Sequence, residues 1–152
     1  MNNQKLMLNQ LDRKLSQLEE LERLDIPTSG WVKALRTALT MSLRQLAGRM
    51  GITAPAVKQI EEREKAGTIS LKVLRQVGAA LNMKFVYGFI PVEGSLAAMI
   101  ENRARDLARE IVLRTSASMA LEDQENRPER IEQAIAEKTS EIVTTMPRYL
   151  WD

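Results

Sequence analysis

The sequence predicts a mainly α-helical protein with one short strand, because of its apolar spacing, its capping residues and one exceptional segment. Apolar residues recur every three or four positions through most of the 152 residues, which is the period of a helix with one buried face. Ser, Thr and Pro stand immediately before several of these runs, where helices take their N-terminal caps. Alternation with a period of two appears only near residues 83–92, as in a strand.

Residues 1–30 are predicted to form an N-terminal helical arm. Alternating spacings of three and four place four leucines on one helix face: Leu8, Leu11, Leu15 and Leu18. Glu22 interrupts this stripe, which favours a short packing arm over a long coiled coil. Pro27 and Gly30 then mark a linker.

Four short helices are predicted for residues 31–82. The first covers residues 31–39, and the other three begin at residues suited to N-capping: Ser42, Thr53 and Ser70. Gln45 forms a capping box with Ser42. Gly51 can adopt the left-handed conformation that ends the second helix.

Residues 83–152 are predicted to be a dimerisation or partner-binding region. In its strand, Phe85, Tyr87 and Phe89 alternate with Val86, Gly88 and Ile90. A lone strand leaves backbone groups unpaired, so we expect it to pair with a second copy across a two-fold axis. Apolar residues then return to helical spacing from Ser95 to about residue 121, and another helix is predicted from Glu129 to Thr145.

Composition excludes several classes of site. The chain has no cysteine and no histidine, which excludes disulfides, thiolate or imidazole metal sites and catalytic triads that require either residue. We therefore expect neither enzymatic activity nor a bound cofactor. No apolar run reaches the roughly 20 residues of a membrane span, and the N-terminus is too polar for a signal peptide. These features indicate a cytoplasmic protein without membrane partners.

Positive charge is concentrated in the central third of the chain. The protein carries a net charge of +2, but residues 31–84 contain ten basic residues against three acidic ones, a net charge of +7. Such asymmetry is typical of modules that bind a polyanion. Solvated helix faces would give the same count, so the sequence motif has to distinguish the two interpretations.

Seven residues around the predicted turn between the second and third of these helices form the most informative motif: Leu46, Ala47, Met50, Gly51, Ile52, Val57 and Ile60. Ala47 is small where one helix crosses the other, and Gly51 permits a tight turn. The larger apolar residues fill the wedge between the helices. This spacing favours a helix-turn-helix over an ordinary helical hairpin.

Over residues 31–82 the motif resembles the XRE family, which includes the lambdoid phage repressors and Cro. The resemblance implies a lambda repressor-like domain of five helices whose third helix enters the major groove of double-stranded DNA. Its implied base-reading residues are Thr53, Ala54, Pro55, Lys58 and Gln59. Gln59 has the amide that reads adenine, and Lys58 can reach guanine or a phosphate.

The same resemblance implies further residue roles. Candidate phosphate contacts are Ser42, Arg44, Arg49, Arg63 and Lys65. Arg36 and Glu61 align with an ion pair that joins the first and third helices in some lambdoid repressors, which would be structural.

The whole chain is similar to a bacterial family called mobile mystery protein A. Four segments carry this similarity: Gly30-Trp31, residues 69–72, residues 120–124 and the terminal Leu150-Trp151-Asp152. That family is known for its genomic partnership with a Fic-domain protein. The resemblance implies a dimeric autorepressor of a mobile-element locus that binds an inverted-repeat operator. The alternative is an antitoxin-like protein that neutralises the Fic partner by direct contact.

Two other functions are less consistent with the sequence. An acidic cluster of Glu122, Asp123 and Glu125 could be imagined as an enzyme site, but such closely spaced residues point in different directions on a helix. RNA binding usually uses stacking aromatic residues, which are nearly absent from the basic third. We expect Trp31 to lie in the core.

Overall fold

A computed structural model describes residues 2–120 and 127–152, and the protein is mainly α-helical, as predicted. The α-helices are α1 (Asn2–Ser16), α2 (Trp31–Ala38), α3 (Leu43–Met50), α4 (Ala54–Ala66), α5 (Leu71–Ala80), α6 (Leu96–Ala120) and α7 (Pro128–Thr145). Short 3₁₀ helices cover Glu19–Arg23 and Arg148–Trp151. No helix in the described ranges is both long and apolar enough to cross a membrane.

The chain divides into two compact units, where the sequence predicted three regions. One unit contains residues 23–88, and the other contains the described residues of 1–22 together with those of 89–152. Helix α1 is therefore part of the same unit as α6 and α7 and is not a separate arm. Leu8 of α1 packs against the buried cluster of that unit, and this burial explains the difference.

The unit of residues 23–88 is built from α2 to α5 around one apolar core. The buried side chains are Val32, Leu46, Ala47, Val57, Val77 and Leu81. Helix α3 begins with the predicted capping box, because Gln45 N donates to Ser42 Oγ at 3.1 Å and Ser42 N donates to Gln45 Oε1 at 2.8 Å. Thr53 and Ser70 cap α4 and α5 through their side-chain oxygens. Four α-helices are present in this unit, whereas the family resemblance implies five.

The predicted strand is not observed in the described part of the chain. Residues 83–91 have no regular secondary structure, and the backbone groups of residues 84–90 form no hydrogen bond to other described residues. Alternation shows which side chains can share a face, but a strand is defined by a neighbouring strand that pairs with it. Phe85 and Tyr87 do stack, with ring centroids 6.1 Å apart.

The other unit is centred on α6 and α7. Its buried side chains are Ile100, Ala104, Ala108, Ile135, Ile142 and Leu150. Arg103 of α6 fixes the 3₁₀ helix Arg148–Trp151, since its Nε donates to Leu150 O at 2.5 Å and its Nη2 donates to Asp152 O at 2.7 Å. Asp12 of α1 accepts hydrogen bonds from Leu96 N at 2.7 Å and Ala97 N at 3.2 Å, which caps α6.

Candidate nucleic-acid interface

Helices α3 and α4 are joined by a tight three-residue turn, residues 51–53. Gly51 has a φ of 69°, the left-handed conformation that glycine adopts without strain. Ile52 N donates to Ala47 O at 3.0 Å and closes the end of α3. Thr53 Oγ1 accepts from Ala56 N at 3.3 Å and begins α4. The turn thus fixes the direction in which α4 leaves α3.

Helix α4 has one face that packs on the protein and one that is free. The packed positions follow the i, i+3, i+4, i+7 pattern of one helix face and are Val57, Ile60, Glu61 and Glu64. The opposite positions Pro55, Lys58, Gln59 and Glu62 are exposed. The side chains of Lys58, Gln59 and Glu62 form no hydrogen bond or ion pair with other described residues. This free face is available to a binding partner.

Arg36 of α2 and Glu61 of α4 form the expected ion pair. Arg36 Nη2 lies 2.8 Å from Glu61 Oε1, with side-chain exposures of 14% and 7%. Arg36 Nε also donates to Glu61 Oε1 at 3.1 Å, and Arg36 Nη1 donates to Met41 O at 2.9 Å. Both charged groups are therefore well bonded despite their burial, and the pair holds α4 against α2.

Glu64 has a role that the sequence analysis missed. Its Oε2 accepts from Trp31 N at 2.7 Å and its Oε1 accepts from Val32 N at 2.9 Å, so the carboxylate caps α2. The N-cap residue of α2 is Gly30, which has no side chain to cap its own helix. A helix start without a capping side chain requires a hydrogen-bond acceptor from elsewhere. The glycine before α2 was therefore the sequence feature that could have indicated such a contact.

The ion pair of Glu61 and the capping contact of Glu64 affect the charge that α4 presents on its free face. Of the three acidic residues between positions 31 and 84, Glu61 and Glu64 are used inside the unit, and only Glu62 lies on the free face. The basic side chains of Lys58, Arg63 and Lys65 are all exposed. The free face and its borders are accordingly more positive than the residue count of α4 suggests.

The predicted base-reading residues do not all occupy the free face. Pro55, Lys58 and Gln59 are exposed, and Thr53 is exposed with its hydroxyl engaged as a cap. Ala54 is half-buried against the core because it begins the inward-facing stripe of α4. Lys58 borders a groove on the α2 side, whereas Gln59 borders a second groove on the α5 side. Lys58 and Gln59 therefore lie at opposite edges of the free face.

The predicted phosphate contacts differ in whether their side chains already have a hydrogen-bond partner within the described structure. Arg44, Arg63 and Lys65 are exposed, and their side chains have no partner among the described residues. Arg49 Nη1 donates to Ala80 O at 3.1 Å and so ties α3 to the end of α5. The hydroxyl of Ser42 is occupied by the capping box.

Three other predicted features have different outcomes. Trp31 is 37% exposed and does not lie in the core as we expected, because its position begins α2 while Val32 is the residue that faces inward. Glu122, Asp123 and Glu125 lie outside the described residues. Within the described ranges, no group of three or more acidic side chains is placed to hold a metal ion.

Comparisons with models of known protein families, with curated proteins and with solved structures found no match to this chain. The functional interpretation therefore depends on the geometry of α3 and α4 and on the sequence motif that they contain.

Proposed function

We propose that the protein is a sequence-specific DNA-binding regulator with a lambda repressor-like helix-turn-helix, in which α4 is the recognition helix. The observation that carries this proposal is the division of α4: Val57 and Ile60 pack inward, while Lys58 and Gln59 are exposed and have no side-chain partner in the described parts of the chain. A recognition helix needs this arrangement, because its fold must be secured without using the side chains that read DNA.

The chemistry of the free face fits the major groove. That groove is wide enough to admit an α-helix, and its base edges present patterns that amide and ammonium groups can distinguish. Gln59 supplies the amide and Lys58 the ammonium group. Arg44, Arg63 and Lys65 are free cations around this helix, and they would neutralise backbone phosphates, which set the position of the protein without reading sequence.

The binding unit is proposed to be a symmetric dimer joined through residues 85–90 and through α6, the helix that begins near Ser95. Val86 and Phe89 are 63% and 81% exposed, and the backbone groups of this segment are unpaired within the described chain. Pairing with the same segment of a second copy would satisfy those groups and cover the apolar side chains. Two-fold symmetry would present two α4 helices to successive major grooves, so the operator would be an inverted repeat.

The regulated gene is proposed to be the protein's own. The resemblance to mobile mystery protein A implies an autoregulated locus with a Fic-domain partner, and autorepression requires only the DNA-binding activity argued above. DNA upstream of the coding sequence is therefore the first probe to use.

We predict that Lys58→Ala and Gln59→Ala reduce affinity for the operator more than affinity for random DNA. Base-edge contacts contribute about 1 to 3 kcal/mol of discrimination each, whereas phosphate contacts are insensitive to sequence. Arg44→Ala should weaken both affinities alike. Footprinting of the upstream DNA identifies the operator, and fluorescence anisotropy at fixed salt then measures both affinities.

Lys14→Ala is the matched control, since it removes the same charge from an exposed position of α1. Its ratio of operator to random-DNA affinity should equal that of the unmodified protein. An unchanged ratio in both α4 variants would show that α4 does not read the operator, and an absence of any footprint would contradict the proposed function itself.

A further inference from the structure

A groove between α4 and α5 borders the proposed recognition face. Its volume is about 650 Å³, within the range of roughly 300 to 1,000 Å³ that is typical of small-molecule sites. Its five large apolar lining side chains are Met50, Ile52, Ile60, Ile69 and Val73. Such a surface is suited to the apolar body of a ligand.

The polar groups around this groove are cationic or neutral. Arg49, Arg63, Gln59 and Gln76 line it, and no acidic residue does. Arg49 is oriented by its hydrogen bond to Ala80 O, and its remaining N–H groups have no partner among the described residues. The guanidinium of Arg63 forms no ion pair with any described carboxylate. Two arginines beside an apolar surface would attract an anion that has an apolar body.

We propose that this groove binds an organic monoanion with an apolar body, such as a medium-chain carboxylate, and that the bound anion competes with DNA. The competition follows because Gln59 and Arg63 line the groove and also belong to the proposed DNA surface. This regulation rests on the proposed function. A backbone phosphate could use the same arginines but has no apolar body to cover the floor of the groove.

Calorimetric titration of the full chain with decanoate tests the site without DNA. We expect saturable binding of one decanoate per chain, with no saturable binding of acetate or of decyltrimethylammonium. Acetate shares the charge and lacks the apolar body, while decyltrimethylammonium has the body and the opposite charge. Arg63→Gln should weaken decanoate binding about tenfold, as loss of a charged hydrogen-bond donor does, and Arg44→Gln, which lies outside the groove, should not.

Ala79→Leu tests the link to DNA. Ala79 is exposed and lines the groove, so a leucine fills the space without changing charge. In the unmodified protein, decanoate should raise the apparent Kd for the operator. In Ala79→Leu the operator affinity should be retained and the effect of decanoate lost, while Ala38→Leu, outside the groove, should keep it.

The outcomes separate the two proposals. Operator binding that depends on Lys58 but is accompanied by no saturable decanoate binding would overturn the ligand site and leave the DNA function standing. Decanoate binding that survives both Arg63→Gln and Ala79→Leu would place the ligand elsewhere and would also overturn it. Acetate binding as tight as decanoate binding would identify the groove as a simple anion or phosphate site. Saturable decanoate binding without any operator binding would contradict the proposed function alone.

Discussion

Gly30 is where the start of α2 and the last turn of α4 meet. Its φ of 86° is in the left-handed region, and a Cβ atom built on it would lie 2.9 Å from the carboxylate of Glu64. That carboxylate is the cap of α2. Any side chain at position 30 would therefore strain the backbone and also displace the cap.

We predict that Gly30→Ala lowers the free energy of unfolding by about 1 to 2 kcal/mol, the cost of left-handed backbone for a residue with a Cβ atom, together with the loss of the cap. Gly48→Ala is the control. A Cβ atom there has no heavy atom within 4 Å, so alanine should stabilise α3 by about 0.5 to 1 kcal/mol. Urea denaturation followed by circular dichroism measures both, and equal effects would contradict the role assigned to Gly30.

The buried pair of Arg36 and Glu61 gives a prediction of a different kind. Glu61→Leu alone should destabilise the unit by about 3 to 5 kcal/mol, because the arginine stays buried without its counter-ion. The double variant Arg36→Met with Glu61→Leu should recover most of that loss, since two apolar side chains need no partner. Denaturation of the two single variants and the double variant forms a complete cycle. A double variant as unstable as the sum of the single ones would show that the charges are not coupled.

Single residues were predictable where their partners are close in sequence. The capping oxygens of Ser42, Thr53 and Ser70 bond to residues three positions later, so local sequence is sufficient to find them. Glu64 bonds to residues more than 30 positions away, and no local pattern indicates that contact. Arg36 and Glu61 are 25 positions apart, and only the family resemblance suggested their contact.

At the level of elements, α1 is joined to α6 by a capping contact. Asp12 accepts from the first two backbone amides of α6, and Leu8 packs on the same unit. We predict that Asp12→Ala destabilises this unit by about 0.5 to 2 kcal/mol, the usual cost of removing a cap, and exposes the amides of α1 to hydrogen exchange. Asp106→Ala, at an exposed position of α6, should change stability by less than about 0.5 kcal/mol.

The stability of the unit that contains α1 can be measured separately from that of the other unit. The protein has two tryptophans, Trp31 and Trp151, and they belong to different units. In a Trp31→Phe background, the fluorescence of Trp151 reports on the unit that contains α1. If Asp12→Ala left both this transition and the exchange of α1 unchanged, the cap would contribute nothing to the docking of α1.

The helices were predictable as elements, but the strand was not. A helix closes its hydrogen bonds within four residues, so spacing and caps in the sequence are enough to specify it. A strand depends on a partner whose position the sequence of the strand does not contain. The alternation at residues 85–90 predicted a strand that the described chain does not form, and its pairing with a second copy stays a prediction.

At the scale of the whole molecule, the central prediction is dimerisation through residues 85–90. Val86→Glu should give monomers at micromolar concentration with weak operator affinity, because a charge would be buried where two copies meet. Analytical ultracentrifugation measures the mass, and the anisotropy assay measures DNA binding. The control is Leu39→Glu, which places the same charge at another exposed apolar position, outside residues 83–152, and should remain dimeric.

Two results would contradict this interface. A monomeric unmodified protein would exclude the symmetric dimer. Dimers retained in Val86→Glu would move the interface to the exposed leucines near the N-terminus, and Leu11, which is 45% exposed, would be the next position to substitute.

The sequence predicted the two helices and the turn of the candidate site more accurately than it predicted how the chain divides into compact units. Residues 46–60 contain the whole turn and the adjoining halves of α3 and α4, so the motif was readable as one segment. The grouping of α1 with α6 and α7 joins residues more than 80 positions apart, and nothing in the leucine stripe specifies which surface it covers. Ala54 shows the same limit within the site, since its burial is decided by the core.

The separation of α4 into a packed face and a free face also affects how such a protein can evolve. The packing of α4 on the fold depends on Val57, Ile60, Glu61 and Glu64. The side chains of Lys58, Gln59 and Glu62 form no hydrogen bond or ion pair with other described residues. Substitutions at the second set are therefore nearly neutral for folding. Under the proposed function, duplicated copies can diverge in the DNA sequence they recognise while keeping one scaffold, and an engineer can exchange the same few side chains to redirect the protein to a new target.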